Sequence, residues 1–575
     1  MNVAVPERLI VPRERLSLAG RFAAFVERSH FRLCAVLVLL CLACFLPGFA
    51  SLQPMDRDEP RYAQASKQML ETGDFVDIRF QDEARHKKPV GIYWLQAATV
   101  GLADLVGVPQ ARTTIALYRV PSLAGAIATV LLTYWAALAF VGRRGAFLAA
   151  ALVGSSIILM VEARLAKTDA VLTACSVAVM GGLARAYFGR GADHLPKRTI
   201  LLFWLATAIG ILVKGPMVPM LAGFAALALC WRERSAYWLR ALRPKQGLLL
   251  TALVVLPWFV AIAVKSGGEF FAASVGRDML AKVGSGQESH WGPPGYYLIA
   301  FFATFWPGAI LAAIAAPFAW LHRRDDLVAF TLAWVVPSWL VFEAIPTKLP
   351  HYVMPLYPAI AILTVIAIQR GFVGPHRPAA RWATVLIPFI PVVLTLLLSG
   401  AAWSLDGAVP FVALPVLIMS CLLSLLAWRH FVKARVLKAA AAAVLSSAVL
   451  AAGVFGLGQP VLRSIKLSPR LAEAVGGLEC ADPKVATLGY REPSLVFLVG
   501  TKLDMLESGE EAARFLREGG CRMAFVERRH LASFEAESAR LGIRPALSTR
   551  ISGFNISNGR RLEIGAYSVG DSGLQ

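Results

Sequence analysis

The chain has 575 residues, of which 57% are hydrophobic and only 17% are charged. Soluble domains carry about a quarter charged residues, so this composition excludes an ordinary soluble protein. Apolar runs of about 20 residues recur along most of the chain, which indicates many transmembrane helices. The net charge of +21 does not indicate nucleic-acid binding, because the basic residues are scattered between the apolar runs.

The first predicted element is a cytoplasmic N-terminal segment, residues 1–32. It carries six Arg and lacks the apolar core of a cleavable signal peptide. We therefore expect the first apolar run to be retained as a membrane anchor. Hydropathy predicts about 13 transmembrane helices in all, at residues 33–52, 116–141, 146–165, 170–188, 199–214, 216–231, 247–264, 295–320, 326–345, 352–370, 382–401, 409–428 and 438–457.

The Lys and Arg content of the loops predicts which side of the membrane each loop occupies, since basic loops stay cytoplasmic. If residues 91–107 also crossed the membrane, every later basic loop would lie on the outer face. We therefore predict that 91–107 is an outer interfacial helix, with Tyr93, Trp94 and Gln96 at headgroup level. A second outer surface helix is predicted at 59–74. The basic loops are 142–145, 189–198, 232–246, 322–326, 370–381 and 429–438.

The chain becomes less apolar after the last predicted span, and residues 458–575 are expected to form a soluble α/β domain on the outer face. Segments 485–490 and 521–527 are predicted as strands on either side of a helix at 508–520. On an oxidising face Cys480 and Cys521 either form a disulfide or remain free thiols, and the sequence leaves both alternatives open. Residues 33–457 are expected to form the transmembrane domain.

This topology brings charged residues from four separate segments to the outer face. Asp169 is the most informative, because it interrupts an apolar stretch where an acid is costly. Carboxylates combined with Lys, Arg and Tyr suit a site for a phosphate carried by a lipid. Two alternatives remain: solvated loop residues, and a transporter with a charged outer vestibule. A transporter would keep its charges near the bilayer midplane, in repeated halves, so surface chemistry is favoured.

Four motifs occur in a characteristic order: 58-DEPRYA-63, 88-KPVGIYW-94, 214-KGP-216 and 348-KLPHY-352. In these motifs the chain resembles the integral-membrane glycosyltransferases that use polyprenyl-phosphate sugars. Within that group it is similar to the lipid A 4-amino-4-deoxy-L-arabinose transferases, which are related to the protein O-mannosyltransferases. The resemblance runs from about residue 33 to residue 457. It implies the GT-C fold, with interfacial helices on the outer face and a small C-terminal α/β domain.

The resemblance also implies an activity, which is transfer of 4-amino-4-deoxy-L-arabinose from undecaprenyl phosphate to a phosphate of lipid A. The expected place is the periplasmic face of the bacterial inner membrane, and the expected outcome is polymyxin resistance through modified lipopolysaccharide. The implied partners are the lipid-linked sugar donor and the lipid A acceptor, with no nucleic acid and a monomeric enzyme. The alternative acceptor is a protein hydroxyl or another glycolipid.

The family's functional residues are carried over where the motifs match. Asp58 and Asp169 correspond to the catalytic acids, and Lys88 corresponds to the lysine that binds the donor phosphate. Lys87 stands where the family has Glu, so no role of that Glu is transferred to this chain. The other residues assigned to substrate or phosphate binding are Arg61, Tyr62, Arg277, Lys282, Lys348 and Tyr352.

A divalent metal, Zn²⁺ or Mg²⁺, has two alternative candidate sites. His and carboxylate side chains are suitable zinc ligands, which makes His86, Glu83 and His290 one set. The Asp-x-Asp pair of Asp56 and Asp58 is the competing set. The expected cofactor is therefore one metal ion or none.

Overall fold

The computed structural model describes residues 28–55, 57–190, 195–280, 292–478, 480 and 482–569. Within these ranges, helices occupy all 13 segments that hydropathy predicts. Eight of the described helices are long and apolar enough to cross a membrane. The helices of the 13 segments are His30–Phe45, Ile115–Ala137, Arg143–Gly154 with Ile157–Glu162, Asp169–Phe188, Lys197–Lys214, Met217–Glu233, Pro244–Lys265, Tyr296–Thr304 with Gly308–Leu321, Asp326–Ala344, Tyr357–Gln369, Pro378–Ala383 with Leu386–Asp406, Leu414–Val432, and Val436–Ala451 with Ala452–Gly458 and Gln459–Val461.

Contacts between helix ends fix the relative sides of the loops. His30 Nδ1 lies 2.7 Å from the hydroxyl of Tyr134, so the start of the first membrane helix meets the end of Ile115–Ala137. This contact agrees with the prediction that the chain crosses and returns between these two points without a further crossing by residues 91–107. Arg190 and Arg232 both bind Asp326, which brings three of the loops together at one end of the bundle.

Two helices, Asp58–Thr72 and Gly91–Leu105, pack together at the other end of the bundle. Trp94 is 37% exposed, but Tyr93 and Gln96 are both fully buried. The prediction that these two side chains lie at headgroup level is therefore wrong. They occupy the inner face of the helix, where the Gln96 side chain accepts from Ser66 Oγ at 2.7 Å.

Short elements complete this end of the bundle, where the sequence predicts the outer face. They are the hairpin strands Arg79–Phe80 and Glu83–Ala84 and the helical turns Ala111–Thr113, Glu269–Phe271, Ala272–Leu280 and Pro350–Leu356. One further turn, Tyr237–Leu242, follows the basic segment around Arg232.

The membrane helices approach most closely where small residues allow it. A Cβ on Gly125 would lie 2.8 Å from the backbone nitrogen of Val171, so helices Ile115–Ala137 and Asp169–Phe188 are in backbone contact at that point. Small residues permit such approaches between helices in membranes. This contact holds Asp169, at the start of its helix, in a fixed position relative to Ile115–Ala137.

A five-stranded mixed sheet lies at the C-terminus. Strands Lys484–Leu488 and Arg522–Glu527 are parallel neighbours, with helix Gly509–Arg517 between them in the chain, as predicted. Cys480 and Cys521 are joined by a disulfide. In spatial order the strands are Asp504–Leu506, Lys484–Leu488, Arg522–Glu527, Arg560–Ser568 and Ala546–Asn555, and the accompanying helices are Leu467–Gly476, Pro493–Val499, Gly509–Arg517, Arg528–His530 and Leu531–Arg540.

The C-terminal α/β part packs directly on helix Asp58–Thr72. Gln64 Nε2 donates to Thr501 Oγ1 at 2.7 Å, and Lys67 Nζ donates to the carbonyl of Phe497 at 3.2 Å. The C-terminal part therefore lies at the same end of the bundle as helices Asp58–Thr72 and Gly91–Leu105, as the predicted topology requires.

Candidate active site

A buried ion pair fixes the start of helix Asp58–Thr72. The side chains of Glu59 and Arg119 are fully buried, with Arg119 Nε 2.7 Å from Glu59 Oε1. The same carboxylate oxygen accepts from the backbone nitrogen of Ala166 at 2.9 Å, so Glu59 also holds the loop that leads to Asp169. Arg119 satisfies its remaining donors on the carbonyl oxygens of Phe49, Leu52 and Gln53. This pair therefore sets the positions of both predicted catalytic acids.

Asp169 lies in a buried cluster of charged side chains. Lys214 Nζ is 2.5 Å from Asp169 Oδ1, and His351 Nε2 is 3.7 Å from Asp169 Oδ2. On its other side His351 lies 3.5 Å from Glu162 Oε1, and Lys167 Nζ is 3.4 Å from the same oxygen. We call Glu162, Lys167, Asp169, Lys214 and His351 the buried charged cluster. With a neutral imidazole its two carboxylates balance its two ammonium groups.

Two tyrosines stand beside this cluster. The ring of Tyr62 lies 5.3 Å from that of Tyr93, and the guanidinium of Arg85 lies 5.1 Å from the Tyr62 ring centre. Burial raises the pKa of Tyr62 well above its usual range, and the charges of Asp58 and Asp169 act in the same direction. The phenol therefore stays protonated and is available as a hydrogen-bond donor. The charges of both predicted catalytic acids therefore act on this one hydroxyl.

Lys88 reaches the same region from the neighbouring loop. Its Nζ lies 2.6 Å from Asp278 Oδ2. The ring of Tyr352 lies 5.2 Å from Lys214 Nζ, in the buried charged cluster. The structure thus brings the predicted residues Asp169 and Tyr352 together around Lys214 and joins the predicted residue Lys88 to Asp278.

Of the three other predicted residues that the structure describes, Lys348 and Arg277 make other contacts. Lys348 is buried and donates to the carbonyl oxygens of Glu343 and Ile345 at 2.6 and 2.8 Å, where it caps the preceding membrane helix. Arg277 is 69% exposed in its side chain and binds Glu269. Arg61 is half-buried and has no hydrogen bond or ion pair with any described residue.

In the first predicted metal set, the two described residues make no shared site. His86 Nε2 binds Asp77 Oδ1 at 2.7 Å, and Glu83 is exposed on the hairpin, so the described part of this set does not converge. Asp56, Lys282 and His290 lie outside the described residues.

Among the described residues, a different set places its ligand atoms within 4.8 Å of one another: Glu162, Asp169 and His351. Lys167 and Lys214 already hold these two carboxylates, and a divalent cation would have to lie beside two ammonium groups. The donor set therefore fits a metal poorly.

The sequence reasoning did not assign roles to Glu162, Lys167 or Lys214. Glu162 and Lys167 occur in 162-EARLAKTD-169, a charged segment between two apolar runs. Like Asp169, they are charged residues where charge is costly, and this alone could have marked them as functional. Lys214 was visible only as part of the Lys-Gly-Pro motif. Its pairing with Asp169 joins residues 45 positions apart, and periodicity carries no information about such a contact.

Comparisons with known proteins find similarity both in sequence and in fold. Residues 31–268 match the family described as dolichyl-phosphate-mannose-protein mannosyltransferase. The chain is 27% identical over 310 residues to an undecaprenyl phosphate-alpha-4-amino-4-deoxy-L-arabinose arabinosyl transferase of Erwinia tasmaniensis, covering 53% of this chain and 54% of the relative. A Pseudomonas aeruginosa protein of the same name is 28% identical over 333 residues, covering 55% and 56%. The chain thus spans about half the length of the curated relatives it matches.

The similarity in fold covers a larger share of the chain than the similarity in sequence does. The structure of ArnT from Cupriavidus metallidurans bound to undecaprenyl phosphate aligns over 96% of this chain and 98% of its own, with a TM-score of 0.73 and 18% identity. The oligosaccharyltransferase of Archaeoglobus fulgidus in the apo form covers 95% and 75%, with a TM-score of 0.51 and 10% identity. The fold expected from the motifs is confirmed: the chain has the same GT-C fold as ArnT from Cupriavidus metallidurans, and about half of its length is similar in sequence to the undecaprenyl phosphate-aminoarabinose arabinosyl transferases.

Proposed function

We propose that this protein is a membrane glycosyltransferase that moves 4-amino-4-deoxy-L-arabinose from undecaprenyl phosphate to a phosphate of lipid A. The observation that carries the proposal is the buried contact of Lys214 with Asp169 at 2.5 Å and with the ring of Tyr352 at 5.2 Å. These residues come from separate segments and belong to the motifs shared with the polyprenyl-phosphate-sugar transferases. The names of the relatives supply the sugar and the lipid carrier.

Lys88 is assigned to the phosphate of the donor. Its ammonium group is held by Asp278 at 2.6 Å, so its position is fixed before substrate binds. As the glycosidic C–O bond breaks, negative charge develops on the leaving undecaprenyl phosphate. A preorganised cation at that point stabilises the transition state. Arg277 and Lys282 are the proposed loop cations that add to this effect.

Asp58 and Asp169 are assigned to the sugar. Asp169 is ion-paired with Lys214, so it remains a carboxylate. Carboxylates next to the anomeric carbon stabilise an oxocarbenium-like centre, and either acid is a suitable partner for the sugar ammonium. The protonated Tyr62 phenol donates a hydrogen bond to the bound substrate. Arg61 and Tyr352 are the further proposed substrate contacts.

The acceptor needs little activation. A phosphate of lipid A is already ionised at neutral pH, so one of its oxygens attacks the anomeric carbon without losing a proton. The new C–O bond forms as the bond to undecaprenyl phosphate breaks, in a single inverting displacement. No strong general base is required, and the two acids act by positioning and by charge.

The site and the C-terminal part, residues 458–575, are proposed to face the periplasm from the bacterial inner membrane. Residues 33–457 then form the transmembrane domain, and the 1–32 segment is cytoplasmic. Adding an aminosugar to lipid A masks negative charge, which weakens the binding of cationic peptides such as polymyxin. The protein is proposed to work as a monomer.

A second acceptor, a protein hydroxyl, is favoured by the match of residues 31–268 to the protein mannosyltransferase family. A hydroxyl must lose its proton during attack. Asp58 would then act as a general base rather than as a positioning group.

The experiment is a transfer assay on purified protein, with mass spectrometry of lipid A as the readout. Asp58→Asn and Lys88→Ala should each lower transfer at least ~100-fold, because each removes a charge that acts on the transition state. Asp82→Asn and Lys87→Ala are matched controls, because both side chains are exposed on the neighbouring loop. Near-normal transfer by Asp58→Asn or Lys88→Ala would refute that assignment. A sugar found on protein, with lipid A unchanged, would support the second acceptor.

A further inference from the structure

A cavity of about 330 Å³ lies away from the residues assigned to sugar transfer. It forms where helix Leu386–Asp406 ends and where the chain leaves the last membrane helix. Both points lie at the predicted outer surface of the membrane. The cavity is lined by Asp406, Arg463, Ser464, Lys466 and Arg470.

The lining carries three cations and one carboxylate, and not all of this charge is used within the protein. Lys466 and Arg470 each donate to a backbone carbonyl, of Pro460 at 2.7 Å and of Ser552 at 2.8 Å. Both side chains keep further donors. The Arg463 side chain is exposed and makes no hydrogen bond or ion pair with any described residue. Three cations around one cavity suit a phosphate group.

Asp406 adds a second requirement on the ligand. Its Oδ1 accepts from the backbone nitrogen of Ser464 at 2.9 Å and from Ser464 Oγ at 2.5 Å. Its Oδ2 is buried and has no hydrogen-bond partner within the described ranges. A buried carboxylate oxygen without a donor is costly. The ligand that best satisfies the cavity therefore carries a phosphate and, next to it, an N–H donor.

The surroundings place the cavity at the depth of lipid headgroups. Trp403 lies one helical turn before Asp406 and is 66% exposed, and Phe411 on the following loop is 74% exposed. Aromatic side chains collect at the membrane–water interface. The cavity is therefore open to the headgroup layer of the outer leaflet.

We propose that this cavity binds the headgroup of a phospholipid with a primary ammonium group, of the phosphatidylethanolamine type. The phosphate lies among Arg463, Lys466 and Arg470, and the ammonium donates to Asp406 Oδ2. This site holds the start of the C-terminal part to the membrane. It is independent of the proposed sugar transfer.

The test is native mass spectrometry of the full-length protein in detergent, titrated with defined lipids. Phosphatidylethanolamine should bind roughly three- to tenfold more tightly than phosphatidylcholine, which has the same phosphate but no N–H. Arg463→Gln with Lys466→Gln should weaken binding about tenfold or more. The control Lys484→Gln with Lys502→Gln removes the same charge from exposed positions of the C-terminal part and should leave binding unchanged.

Arg463→Gln alone changes an exposed side chain without protein partners, so its effect is not confused with misfolding. It should weaken binding in the same direction as the double variant. Equal affinity of the double variant and the wild type would overturn the site. Equal binding of the two lipids would overturn the headgroup assignment. Displacement of the lipid by an equal concentration of inorganic phosphate would show a general phosphate site and would also overturn it.

Discussion

At the scale of single residues, Lys214 compensates the negative charge of Asp169 within the buried charged cluster. It is the nearest cation to Asp169, at 2.5 Å, and both side chains are almost fully buried. Removing one partner of such a pair leaves an uncompensated charge, whereas removing both does not. Lys214 is therefore a positioning residue for Asp169.

Lys214→Met should reduce the free energy of unfolding by about 3 kcal/mol, because the carboxylate of Asp169 loses its closest cation. Adding Asp169→Asn should restore at least half of that loss, since the unpaired charge is gone. Thermal unfolding in detergent measures both effects, and a double-mutant cycle isolates the coupling. Transfer should stay lost in the double variant. Additive destabilisation would contradict the pairing.

Chelation tests whether the cluster holds a metal ion instead. Because Lys167 and Lys214 already hold the carboxylates of Glu162 and Asp169, EDTA should leave transfer within about twofold of the untreated enzyme. The measurement is the rate of transfer before and after dialysis against the chelator. A loss that added Zn²⁺ or Mg²⁺ reverses would show that transfer needs a metal ion.

The sequence predicted a functional residue where that residue type is rare in its local surroundings. Asp169 and the Asp58 motif were visible, because acids are rare beside apolar runs. The sequence assigned Lys348 to phosphate binding, whereas in the structure its ammonium group caps the preceding membrane helix. A lysine just after a helix can reach the last carbonyl groups of that helix as readily as it can reach a ligand. Pairings such as Lys214 with Asp169 depend on tertiary contacts and were not predictable.

At the scale of elements, hydropathy predicted the membrane helices because their lengths are set by the bilayer. Hydropathy did not predict which face of helix Gly91–Leu105 packs against the protein. Burial against protein and burial in lipid select the same apolar residues, so composition does not show which face of an interfacial helix meets the protein. The polar side chain of Gln96 points inward because Ser66 Oγ and the carbonyl of Ala166 satisfy it there.

The position of Gly91–Leu105 gives a labelling test. Gln110 is exposed just after this helix, and it should lie on the outer face. In a background without other free cysteines, Gln110→Cys should react with an impermeant maleimide in intact spheroplasts. Ser235→Cys, exposed next to the basic Arg232, should react only after permeabilisation. The reverse pattern at position 110 would mean that 91–105 spans the membrane.

At the scale of the whole molecule, the similarity in fold covers a larger share of the chain than the similarity in sequence does. Sequence matches cover 53–55% of this chain in two relatives, whereas the fold aligns over 96% of it. The motifs lie in the first two thirds of the chain. In the C-terminal sheet, the sequence predicted the βαβ unit but not the pairings of the other strands. Packing of helix Pro493–Val499 on helix Asp58–Thr72 then joins the two parts.

The disulfide tests the side of the membrane on which the C-terminal part folds. Cys480–Cys521 links residues 41 positions apart, and closing a loop of that size should add about 2–4 kcal/mol to the stability of the sheet. Cys480→Ala with Cys521→Ala should lower the protease resistance of residues 482–569 accordingly, and the membrane helices should be unaffected. Limited proteolysis of spheroplasts measures this. Because a disulfide persists only on an oxidising face, quantitative free thiols in freshly isolated protein would place this part in the cytoplasm.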